Sequence, residues 1–176
     1  MNCGFLNRTV LFVMLFSLVV TVSPMLAQTP TDLNVMPLPA KARLGSGALK
    51  IDGNFVIGFE GYREARLDRA AQRFLTQLHR ETGIVLPAVA PTNGKPTLLV
   101  TTDHASKPVQ EPGEDESYTL EVTSAGAKLH AANPLGVLRG LQTFLQLVSV
   151  TPDGFSAPSI SIQDQPRFPW RGLMID

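Results

Sequence analysis

Tyr118-Thr119-Leu120-Glu121-Val122, then Ser124-Ala125-Gly126, then Ala127-Lys128-Leu129-His130-Ala131 alternates, turns and alternates back. A period of two on either side of a glycine-containing turn predicts a β-hairpin. Asn133-Pro134 follows at once. Asn offers a side-chain oxygen to the free N–H groups of a helix start, and Pro suits the first helical position. Leu138, Leu141, Leu145 and Val148 then form a helical stripe that Val137, Phe144 and Leu147 widen, so this helix is expected to be largely buried. Gly136 and Gly140 leave a smooth patch where a backbone can approach closely. Membrane helix dimers use the same spacing, but packing inside a soluble domain is the reading adopted.

Outward toward the N-terminus, Leu67, Ala71, Phe74, Leu75 and Leu78 make a second helical stripe opposite Arg63, Arg66, Arg69, Arg73 and Gln77. A helix is predicted from about Tyr62 to Thr82, stopped by Gly83. Thr97 to Thr102 reads as a strand after the turn Asn93-Gly94-Lys95-Pro96. Ala42–Leu44, Ala48–Ile51 and Phe55–Phe59 are short apolar runs separated by Gly45-Ser46-Gly47 and Asp52-Gly53-Asn54, which predicts a meander of strands. On the C-terminal side, Ser159 to Ile162 reads as a last strand leading into the connector Gln163-Asp164-Gln165-Pro166. Strands, helix, strands, helix and strand indicate an α+β domain with a mainly antiparallel sheet and two helices on one face, over residues 35–163.

Both ends fall outside that domain. Arg8, the apolar run Thr9 to Val22 and the small residue Ala27 before Gln28 read as a signal peptide over residues 1–27, with an uncleaved membrane anchor as the alternative. Residues 28–34 are expected to be disordered. The one cysteine, Cys3, precedes the apolar core and leaves with the signal, so the domain must be held by its core rather than by disulfides. Cleavage leaves 14 basic against 15 acidic residues, a net −1 with no basic cluster, which argues against nucleic acid and against a membrane as partners. At the far end Pro166 and Pro169 set an extended connector, and Gly172 to Ile175 is the pattern of a strand buried on both faces. The alternative is a frayed tail.

Within residues 28–165 chemistry is scarce. His79, His104 and His130 lie apart with no second ligand at metal spacing, and Glu114-Asp115-Glu116 reads as a solvated loop before a strand. No nucleophile elbow and no phosphate-cradling glycine loop is present. No metal, no cofactor and no catalytic residue is assigned.

The order of Glu116-Ser117-Tyr118-Thr119-Leu120-Glu121-Val122, Gly126-Ala127-Lys128-Leu129-His130-Ala131 and Gly136-Val137-Leu138-Arg139-Gly140-Leu141-Gln142-Thr143-Phe144-Leu145-Gln146-Leu147 resembles the N-terminal accessory domain of the family 20 glycoside hydrolases, the β-N-acetylhexosaminidases. The tail Asp164-Gln165-Pro166-Arg167-Phe168-Pro169-Trp170-Arg171-Gly172-Leu173-Met174-Ile175-Asp176 is similar to the segment entering the first strand of that family's (β/α)8 barrel. The resemblance covers about residues 34 to 176. It implies removal of terminal β-linked N-acetylhexosamine with retention, the substrate's own acetamido oxygen acting as nucleophile. An adjacent Asp-Glu pair serves that chemistry in the family and lies further downstream. Asp115-Glu116 has the right letters but stands in the accessory domain, and neither role is given to it.

One family position maps onto the tail. By resemblance Arg171 binds the hydroxyls on carbons 3 and 4 of the terminal sugar, for which a planar guanidinium is suited. Asp176, at the end of the expected barrel strand, is assigned a supporting role. Pairing of Arg171 with Asp176 is the alternative that the residues alone leave open.

Two functions are therefore expected. The chain is either the N-terminal piece, residues 164–176 being linker and first barrel strand, of an exported β-N-acetylhexosaminidase, periplasmic or secreted, or a secreted non-catalytic module for carbohydrate binding or assembly. Under the first, the partners are an N-acetylhexosamine-containing glycan and the missing catalytic barrel, and residues 28–176 alone are inactive.

Overall fold

A computed structural model describes residues 33–87 and 95–168. In chain order these form β1 (Lys41–Ile51), β2 (Ile57–Gly61), α1 (Ala65–Thr82), β3 (Leu98–Thr102), β4 (Tyr118–Thr123), β5 (Gly126–Ala131), α2 (Pro134–Leu147), β6 (Ser149–Thr151) and β7 (Gly154–Asp164). The sheet runs β1-β7-β4-β5-β3-β2, with β6 added beside β7. The expected α+β architecture is present. The sheet is mainly antiparallel, and β3 alone lies parallel to both its neighbours, β2 and β5. That exception has a cause in connectivity: α1 carries the chain over the sheet between β2 and β3, and a crossover returns a strand in the same direction.

One face of the sheet is apolar. Tyr118, Leu120 and Val122 of β4 alternate with exposed Thr119, Glu121 and Thr123, and Ala127, Leu129 and Ala131 of β5 do the same against Lys128 and His130. Ser124 and Ala125 form the turn between them, as the alternation predicts. Both helices cover this inner face in a single core. At its centre the rings of Phe55, Phe74 and Phe144 meet with centroids 5.7 to 6.0 Å apart, so one aromatic each from the β1–β2 link, α1 and α2 lock the layers together.

The helix ends follow their sequence signals. Asn133 caps α2: its Oδ1 accepts from the Leu135 N–H at 2.8 Å, while its Nδ2 donates to Asp115 O. Gly83 ends α1 in the left-handed conformation, φ 70°, its N–H donating to His79 O. The two glycines of α2 have separate partners. A Cβ at Gly136 would stand 2.2 Å from the backbone oxygen of Ser117, and one at Gly140 would stand 2.1 Å from Leu129 Cδ1. These absences let α2 sit directly on β4 and β5.

Four expectations need correction. The meander of strands is not formed. Lys41–Ile51 is one strand, and Gly45-Ser46-Gly47 is a bulge in it, where the pairing steps from Leu44↔Ile160 to Ala48↔Pro158. Gly47 takes φ 86°, and a Cβ on Gly45 would already touch Ser159, so glycine here serves a bulge rather than a hairpin. The turn at Asp52–Asn54 is real, with Phe55 N donating to Asp52 O, but it sends the chain to the opposite edge of the sheet. Helix α1 starts at Ala65 instead of Tyr62, because Tyr62 N still donates to Thr102 O at 2.7 Å and so belongs to the sheet. Finally, the last strand is 11 residues long rather than four, and pairs with β1, β4 and β6. Leu33, within the stretch expected to be disordered, packs against the core.

Candidate functional site

Arg171 and Asp176 lie outside the described residues, as do the stretches expected to be a signal peptide, 1–27, and a strand, Gly172 to Ile175. The side-chain groupings that the structure does describe belong to the domain itself, at three places.

The first is the corner where β4, α2 and β7 converge. The Tyr118 hydroxyl lies 2.6 Å from Thr143 Oγ1 and donates to Asp164 Oδ2 at 3.2 Å. Asp164 also accepts from Ala40 N at 2.9 Å through Oδ1. Burial of the Tyr118 ring, followed by the negative charge of Asp164, raises the phenol above its ordinary 10.0, an effect that the bond to Thr143 partly opposes. A phenol kept neutral in this way acts as a donor and a spacer. It is not a general base.

The second is an open groove between the outer faces of α1 and α2. Arg69, Arg73 and Arg80 line it from α1, and Gln142 and Gln146 line it from α2, over a floor that includes Leu145 and Val148. These arginines have no carboxylate partner among the described residues, whereas Arg63 pairs with Asp68 and Arg139 with Glu116. Glu81 also lines the groove, which therefore presents three guanidinium groups against one carboxylate.

The third is the polar face of the sheet. His130 Nε2 lies 3.1 Å from Asp103 Oδ1. The acidic stretch beside it is turned inward on its own loop: Glu114 Oε1 accepts from Glu111 N, and Asp115 Oδ1 accepts from Ser117 N. Asp115 is thus occupied in fixing the loop before β4, while Glu116 accepts from Arg139 on α2. His79 Nδ1 stands 2.7 Å from Ile84 O, and His104 Nδ1 stands 2.9 Å from Ala105 O. Among the described residues no three His, Cys, Asp or Glu side chains gather as a metal site.

The Tyr118–Thr143–Asp164 grouping was not singled out in the sequence. Its only signal there is a tyrosine in the inward phase of a strand, which needs a partner for its hydroxyl when buried.

Comparison with known proteins accounts for a domain of this composition. The model for "Glycosyl hydrolase family 20, domain 2" matches residues 32–165. The chain belongs to glycosyl hydrolase family 20. Similar proteins include β-hexosaminidase subunit A1 of Dictyostelium discoideum, 31% identical over 89% of this chain and 29% of that protein, and β-hexosaminidase 1 of Arabidopsis thaliana, 29% identical over the whole chain and 36% of that protein. The solved chitobiase of Flavobacterium johnsoniae superposes with a TM-score of 0.74 at 34% identity, covering 82% of this chain and 22% of that one. This family 20 chain spans about a third of the length of the two relatives it matches along most of its own length.

Proposed function

We propose that this chain is the domain-2 portion of an exported β-N-acetylhexosaminidase, which releases terminal N-acetyl-D-hexosamine from a glycan by substrate-assisted, retaining catalysis. The carrying observation is the family 20 domain 2 match across residues 32–165, supported by 34% identity to the Flavobacterium chitobiase. In this reading the domain holds no part of the acid–base pair, and the chain alone hydrolyses nothing. Arg171 binds two neighbouring hydroxyls of the terminal sugar through its forked N–H donors, and Asp176 supports that arrangement. Residues 1–27 direct export.

The test is a chimera in which residues 33–176 of this chain replace the matching region of the Flavobacterium chitobiase. With a chromogenic β-N-acetylglucosaminide, the chain alone is expected to give no turnover above a denatured control, and the chimera is expected to be active. Arg171→Ala in the chimera should lower kcat/KM by at least ~10-fold, since charged hydrogen bonds are worth about 1.5–3 kcal/mol each. Turnover by the isolated chain would overturn its assignment as non-catalytic. An unchanged kcat/KM in the variant would remove Arg171 from the site.

A further inference from the structure

A recess of about 360 Å³ opens at the end of the sheet where β1 and β4 begin and β5 and β7 finish. The strand register explains which side chains reach it. Lys41 on β1 stands opposite Gln163 on β7, Gln163 opposite Thr119 on β4, and Thr119 opposite His130 on β5. Directly paired residues share a face, so these four form one row across the polar side of the sheet. Neighbouring strands lie about 4.8 Å apart, which makes the row about 14 Å long. All four residues are exposed, and all four line the recess.

Most of the row is uncommitted. Lys41, Thr119 and Gln163 make no side-chain hydrogen bond or ion pair among the described residues, nor does Gln165, which adds a second carboxamide to the lining. His130 is held in place instead. An ionised carboxylate only accepts, so Nε2 gives its proton to Asp103, and in the neutral ring Nδ1 is left as an acceptor of fixed position. Between these groups Ala131 and Ala132 contribute single methyl groups. Convergent polar groups around a partly apolar lining are the arrangement of a small-ligand site, and such sites occupy about 300–1,000 Å³.

The chemistry of the lining narrows the ligand. Carboxamides and hydroxyls both donate and accept, as the hydroxyl and acetamido groups of a sugar do. Lys41 is matched by the carboxylate of Asp164, so the recess holds no excess charge to attract an anion. Tyr118 also lines it, but the ring is buried and its hydroxyl is engaged by Thr143 and Asp164, so recognition runs through hydrogen bonds rather than stacking.

We infer that this recess is a glycan-binding site of the domain, in which the row of Lys41, Gln163, Thr119 and His130 takes a neutral oligosaccharide containing N-acetylhexosamine. The choice of N-acetylhexosamine rests on the function proposed above, whereas the site itself rests on the register and on the uncommitted polar groups.

The experiment titrates the isotope-labelled full chain with the β-linked disaccharide of N-acetylglucosamine and, separately, with sodium sulfate, following backbone amide shifts by NMR. The disaccharide should give saturable shifts centred on Thr119, His130 and Gln163, and sulfate should give none there. Thr119→Val and Gln163→Ala should each raise Kd by about threefold or more, as loss of one neutral hydrogen bond requires, and the double variant by about tenfold. Ser161→Ala, on the same face one step along β7 and outside the recess, should stay within about twofold. Because every position altered is exposed, all variants should keep the parent's melting temperature. Absence of saturable shifts, an equal loss in Ser161→Ala, or sulfate shifting the same amides would overturn the inference. Binding is read without turnover, so its failure counts against this site alone, while an inactive chimera counts against the proposed function.

Discussion

Replacing Gly136 with alanine should destabilise the domain, although alanine is the better helix former. An ideal Cβ at that position stands 2.2 Å from Ser117 O, 3.1 Å from Ser117 C and 2.8 Å from Ala131 Cβ. Two of these three atoms are backbone, so no rotamer change relieves the contact. Recovering ordinary separation requires the first turn of α2 to lift from β4 and β5 by about 1 Å. That turn is pinned by the Asn133 cap, which reaches both Leu135 N and Asp115 O. Overpacking costs ~1–3 kcal/mol, and a disturbed cap adds about 1 kcal/mol. The helix-propensity gain offsets about 1 kcal/mol of this, leaving a net loss of ~1–3 kcal/mol. Urea unfolding of the chain, followed by circular dichroism, should show a lower midpoint with an unchanged slope. A midpoint equal to or above the parent's would refute the claim that α2 rests directly on the Ser117 backbone.

Two further outcomes follow from the core. Because the Tyr118 phenol is raised above its ordinary 10.0, folding favours its neutral form, so the stability it contributes is complete below that pH and drains away above it. Tyr118→Phe should therefore flatten the loss of stability above about pH 10 by up to ~1.4 kcal/mol per pH unit, measured by chemical unfolding at stepped pH. Phe144→Ala removes one ring of the buried aromatic trio and should cost about 3–5 kcal/mol, read as a large fall in the thermal midpoint.

The parts legible in the sequence were those whose signal is local. The β4–β5 hairpin, the Asn133-Pro134 helix start and the Gly83 stop each depend on a few adjacent residues, and each stands where its pattern placed it. The misread parts depend on distant partners. Gly45 and Gly47 carry the same letters in a turn and in a bulge, and only the presence of Ser159 across the ladder decides between them. The last strand, read at Ser159 to Ile162, begins at Gly154 and runs through Pro158, which is accommodated beside that same bulge, where a missing N–H is tolerated. For the candidate site, periodicity put Tyr118 on the inner face, but its meeting with Thr143 and Asp164 joins residues 25 and 46 positions away.

The place of β7 in the sheet also sets a timetable. It lies between β1 and β4, and its long pairing joins residues 41–51 to residues 155–163. A ribosome adds ~5–20 residues per second, so β1 emerges about 5–20 s before the strand that completes it. Throughout that interval its ladder groups have no native partner, and the loop eventually closed by β7 spans nearly the whole domain. Closing so long a loop is slow relative to forming the β4–β5 hairpin or either helix. Assembly of this domain is therefore expected to end where its sequence ends, with β7 entering a gap that the earlier elements have already framed.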